Sequence, residues 1–133
     1  GTAGAPASVF AQVGQSVGLS LTVSHASTKP GPIDPNAAEV HRQLRHLFRY
    51  ESLRVIEERH MELRMQQLGG IDLPTGKRVE VRPLSCTPSG VLIAVEIPGT
   101  LQTDLRVPNH KPVVIGVERY QDGTLILTLQ PDY

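Results

Sequence analysis

Val113-Val114-Ile115-Gly116-Val117-Glu118-Arg119-Tyr120-Gln121-Asp122-Gly123-Thr124-Leu125-Ile126-Leu127-Thr128-Leu129-Gln130 is two extended runs around a reversal. Gln121-Asp122-Gly123 is a hairpin signal, because Asp-Gly readily supplies positive φ. Beyond it Leu125, Leu127 and Leu129 alternate with polar or smaller residues, which puts them on one face of a strand. The same grammar extends backwards to about Leu53: short alternating runs, nearly every one closed by Gly, Pro, Asn or Asp.

Val91 to Ile97 and Leu101 to Val107 flank the Pro98-Gly99 turn, and Val79, Val81 and Leu84 mark the strand before Thr87-Pro88-Ser89-Gly90. Upstream, Pro74-Thr75-Gly76-Lys77 turns the chain, Ile71 to Leu73 is a short extended piece, and Gly69-Gly70 is a break. Tyr50 to Glu58 and His60 to Gln66 form two strands or one long bent strand. Ser16 to Ser27 is a first strand, with Val17, Leu19, Leu21 and Val23 on one side.

Between the first strand and the ladder lies Lys29-Pro30-Gly31-Pro32-Ile33-Asp34-Pro35. Asp34 stands where a helix N-cap belongs and Pro35 at the first helical position, where its missing N–H costs nothing. The spacing predicts a helix to about Arg49. Its apolar stripe is Ala37, Val40, Leu44, Leu47 and Phe48, laid flat on the sheet. The fold expected is mainly β with one α-helix: an antiparallel β-sandwich or small barrel of about seven to eight strands. Residues 1–15 lack periodicity and read as an extended or flexible N-terminal arm; 16–133 read as one β-rich domain.

The chain has 133 residues, with 13 Lys+Arg against 13 Asp+Glu, three Tyr, two Phe and no Trp. Zero net charge and scarce rings argue against a nucleic-acid partner, which demands excess cation or stacking surfaces. No run approaches the ~18 apolar residues of a membrane helix. One cysteine, Cys86, allows no internal disulfide. The start, Gly1-Thr2-Ala3 among further small residues, resembles the surroundings of a signal-peptidase site. The expectation is an exported protein, periplasmic or extracellular, with the signal peptide absent from this chain.

Catalytic and metal chemistry find little footing. The five histidines lack ligand spacing: His41 and His46 are five residues apart, roughly 140° around a helix. Glu57 and Glu58 are strand neighbours and point to opposite faces. No nucleophile elbow or phosphate-binding glycine loop is present. No catalytic, cofactor-binding or metal residues are therefore assigned, and an enzyme is not expected. Arg42, Arg45 and Arg49 share a helix face at i, i+3 and i+7. Arginine pairs bidentately with carboxylates and phosphates, so these three are the candidate contact for an acidic partner or anionic surface.

Three stretches carry a resemblance: Lys29 to Pro35 leading into a helix, Leu47-Phe48-Arg49-Tyr50-Glu51-Ser52 leaving it, and Gly116 to Leu127. Together they resemble small exported bacterial proteins of undefined function found among cell-envelope components. The resemblance implies an envelope location and a non-enzymatic role. The function expected is a protein-binding or accessory subunit of an envelope or membrane-associated assembly, its partners other protein subunits. The alternatives are a small-ligand or glycan carrier built as a closed β-barrel, and an enzyme of unfamiliar type. The inward Val, Leu and Ile of the ladder fill space rather than line a cavity, which weighs against the carrier.

Overall fold

The computed structural model describes residues 15–47 and 49–133. The described residues form eight strands: β1 (Ser16–Ser27), β2 (Ser52–Arg64), β3 (Gly69–Asp72), β4 (Arg78–Thr87), β5 (Gly90–Ile97), β6 (Leu101–Pro108), β7 (Val113–Tyr120) and β8 (Gly123–Asp132). They form two antiparallel four-stranded sheets, ordered β2-β1-β8-β7 and β3-β4-β5-β6. The molecule is thus a sandwich. The barrel does not form, and the enclosed ligand cavity that went with it is replaced by packed aliphatic side chains. The second sheet is the meander that sequential hairpins suggest; the first brings β8 back beside β1.

The interior follows from the two-residue period. Val17, Leu19, Leu21 and Val23 of β1 and Leu125, Leu127 and Leu129 of β8 face Val79, Val81, Val91, Ile93, Val95 and Val107 of the second sheet, all buried in one cluster. At roughly 1.5–3 kcal/mol for each fully buried large aliphatic side chain, this layer is the main source of stability.

β2 is one strand of 13 residues rather than two. Its register against β1 slips between Val23 and Ser24, where Glu57 and Val55 are successive partners, so Ile56 is the extra residue of a bulge. Bulges also occur opposite β5, near Leu84, and in β7 at Val117. The Gly69-Gly70 pair does not interrupt pairing; it begins β3. A Cβ on Gly70 would lie 2.6 Å from the Val79 carbonyl oxygen, so glycine there permits close strand approach.

The Gln121-Asp122-Gly123 reversal is present, but the positive φ (52°) falls on Gln121. Gly123 is required for a different reason. A Cβ there would sit 1.8 Å from the Ala26 carbonyl oxygen, inside the β1–β8 pairing.

The helix is shorter than its apolar spacing predicts. A 3₁₀ turn, Pro35–Ala37, precedes α1 (Ala38–Leu44). Asp34 caps as expected: Oδ1 accepts from Asn36 N at 2.9 Å, while Oδ2 accepts from Val55 N at 3.3 Å. Ala37, Val40 and Leu44 pack with Ala26, Leu53 and Ile126 on the outer face of the first sheet, forming a second small core. After Leu44 the chain tightens, with Leu47 N donating to Leu44 O at 2.8 Å, and then descends to where Glu51 N bonds Ser27 O at 2.7 Å. That anchor to β1 ends the helix. Leu47 is therefore 74% exposed instead of extending the stripe. Phe48 lies outside the described residues, as does all of the expected 1–15 arm except Gln15.

Candidate functional site

Ending α1 at Leu44 redistributes the three arginines. Arg42 remains on the helix and is ion-paired with Glu39 one turn earlier. Arg45 is the C-cap, and Arg49 lies beyond the helix altogether. Arg42 and Arg45 are thus near neighbours on the helix, but Arg49 does not continue a helical face. It reaches Arg45 by another route: with His41, Tyr50 and Glu51 the two line a hollow of about 320 Å³ at the helix end.

Tyr50 organises that hollow. Its hydroxyl shares a 2.6 Å hydrogen bond with His41 Nδ1 and lies 3.3 Å from the His41 carbonyl oxygen. The rings meet edge to face, with centroids 5.6 Å apart. Burial raises the phenol pKa above its ordinary value, opposed in part by the nearby Arg45 charge, so Tyr50 stays a neutral phenol at pH 7. Arg45 Nε approaches His46 Nε2 at 3.2 Å. Neither Arg45 nor Arg49 has a carboxylate partner among the described residues. Leu47, between the two in sequence, is 74% exposed. Two cations over a half-buried tyrosine can hold a carboxylate, with Glu51 the one acid that lines the same hollow.

A second polar centre forms at one end of the sandwich. Asp122, in the β7–β8 turn, accepts from Ser27 Oγ at 2.9 Å and pairs with Lys29 Nζ at 3.5 Å. Its backbone oxygen accepts from Thr28 N and Thr28 Oγ1. The Ser27 hydrogen bond is the main influence holding the Asp122 carboxyl below its usual range; Lys29 adds to it, and partial burial opposes both. His25 lies beneath, 6% exposed, its Nε2 donating to the Tyr120 carbonyl oxygen at 3.1 Å and 3.8 Å from Asp122 Oδ1. Donation to a carbonyl places the proton on Nε2. Serine, histidine and aspartate meet here, but in the wrong order for hydrolysis. The carboxylate, not the imidazole, receives the serine proton donor, and a carboxyl with lowered pKa is a poor base.

Cys86 is buried at the end of β4 beside Tyr133. Glu57 and Glu58 occupy successive positions on β2 and so alternate in side, as their sequence adjacency predicts. Among the described residues no three His, Cys, Asp or Glu side chains are grouped to hold a metal ion, and no helix is long and apolar enough to cross a membrane. The Asp122 centre was not legible in the sequence. Its members span positions 25 to 122, and no spacing in the sequence ties them together.

No family model, no curated protein and no solved structure matches this chain.

Proposed function

We propose that this protein is a non-catalytic recognition module that binds another protein subunit through the hollow at the end of α1. Arg45 and Arg49 take an acidic side chain of the partner, and Leu47 is covered by it. The observation that carries this reading is the pairing pattern. Arg42 already has Glu39, whereas Arg45 and Arg49 have no ion-pair partner among the described residues, and Leu47, between them in sequence, is 74% exposed. A desolvated charge-assisted contact contributes more than a solvated surface pair, so the two unpaired arginines should dominate and Arg42 contribute little. The resemblance to exported envelope proteins gives the setting proposed: an accessory subunit of a cell-envelope or membrane-associated assembly.

The test is affinity isolation from the native source, followed by identification of what co-purifies. An Arg45→Glu/Arg49→Glu variant should lose specific partners that Arg42→Glu retains, while the melting temperature of both stays near wild type. Retention of the same partners by the double variant would overturn the reading.

A further inference from the structure

The sheet pairing places Arg54 opposite His25, His25 opposite Leu125, and Leu125 opposite Glu118, in one row across the inner face of the first sheet. This row borders the aliphatic layer at the end of the sandwich: Leu125 belongs to the buried cluster, while Arg54, His25 and Glu118 are polar. Its Glu118 end is closed by the β3–β4 turn: Lys77 Nζ and Thr75 Oγ1 bond the Glu118 carboxylate at 2.9 and 2.8 Å. The Arg54–His25 end is not closed in this way. It opens into a cleft of about 490 Å³ walled by the Lys29–Pro35 segment and the β7–β8 turn, within the range of small-ligand sites.

We propose that this cleft binds a small organic carboxylate, with Arg54 as its charge partner. The donors and acceptors in the wall decide the sign of the ligand. Both Asp34 oxygens are occupied by backbone N–H groups, and the Asp122 carboxylate is occupied by Ser27 and Lys29. The Arg54 side chain has no hydrogen-bond or ion-pair partner among the described residues, whereas Lys29 is committed to Asp122. The available charged group is therefore a cationic donor, which selects an anion. The two carboxylates in the wall repel a dianion such as phosphate about twice as strongly as a monoanion, since the energy scales with charge. Pro30, Pro32 and Pro35 add apolar wall suited to a short carbon chain. The ligand class that meets all three conditions is a monocarboxylate of a few carbons. The site is distinct from the Arg45–Arg49 hollow, so failure of one leaves the other standing.

Titration of the ¹⁵N-labelled protein with butyrate and, separately, with inorganic phosphate tests the assignment. Butyrate should move the Arg54 Nε–H and the Ser27 and Gly31 amide resonances along one saturable curve. Arg54→Ala should weaken that binding about tenfold or more, the loss expected for a charged hydrogen bond, with the melting temperature unchanged; Arg54→Lys should recover part of it. Phosphate should bind more weakly than butyrate. Absence of saturable shifts at the cleft, equal affinity in Arg54→Ala, or phosphate binding as tightly as butyrate would each overturn the proposal.

Discussion

Ser27 Oγ donates to Asp122 Oδ1 at 2.9 Å across 95 residues of chain, and with it the end of the first strand is fixed to the last hairpin turn. The contact is reinforced by Thr28, whose N–H and hydroxyl both bond the Asp122 carbonyl oxygen.

Acid stability should depend on this contact. Asp122 is held below the usual carboxyl range chiefly by Ser27, and Glu118 is held low by Lys77 and Thr75 against an opposing effect of burial. A carboxyl with a depressed folded-state pKa binds fewer protons in the native than in the unfolded chain, so its contribution is complete above the unfolded value near 4 and disappears as pH falls through the folded one. Thermal melts between pH 7 and pH 2 should show Asp122→Asn and Glu118→Gln losing less stability on acidification than wild type. Parallel curves for all three proteins would refute this.

On the alkaline side Tyr133 contributes. Burial, then the hydrogen bond and charge of Cys86, push its phenol up to about 12. A group raised on folding favours the native state fully below its unfolded pKa near 10, and loses that contribution as pH rises through 12. A spectrophotometric titration of the folded protein should contain a late phenolate phase that is missing in Tyr133→Phe.

Thr128→Val should stabilise the domain. The Thr128 hydroxyl oxygen is buried without a hydrogen-bond partner among the described residues, and so is Ser24 Oγ. Replacing such a hydroxyl with a methyl of the same shape removes a desolvation cost of about 1–3 kcal/mol. Urea unfolding should give a higher midpoint at an unchanged slope; a lower midpoint would show that the hydroxyl contributes to stability.

Two leucines make a sharper contrast. Leu127 is fully buried between the sheets, and Leu127→Ala should cost about 2–5 kcal/mol. Leu47→Ala should stay within about 0.5 kcal/mol, as exposed substitutions do. Comparable losses at both positions would mean that Leu47 is packed in solution.

Strand periodicity carried most of the fold. Leu125, Leu127 and Leu129 turned inward as their spacing required, and β1 runs over the residues its alternation marks, Ser16–Ser27. Two things were not legible. The apolar spacing of Leu47 continues that of Val40 and Leu44, yet the tether from Glu51 to Ser27 cuts the helix first, and a tether between distant residues has no local signature. Which strands pair was also hidden. Local turns dictate the β3–β6 meander, but the joining of β1 to β8 is set by the hydrophobic faces that have to meet. For the same reason the spacing of Arg42, Arg45 and Arg49 marks a cluster, while their division into one paired residue and two unpaired ones depends on where the helix ends.

The strand order β2-β1-β8-β7 has a bearing on biosynthesis. β1 is a central strand whose second neighbour is made last of the eight, so one flank of it has no mate until β8 has left the ribosome. Non-local pairing of this kind slows folding and leaves an unpaired edge open to association in the meantime. A chaperone that shields β1 during translation would act on this protein at its most vulnerable point.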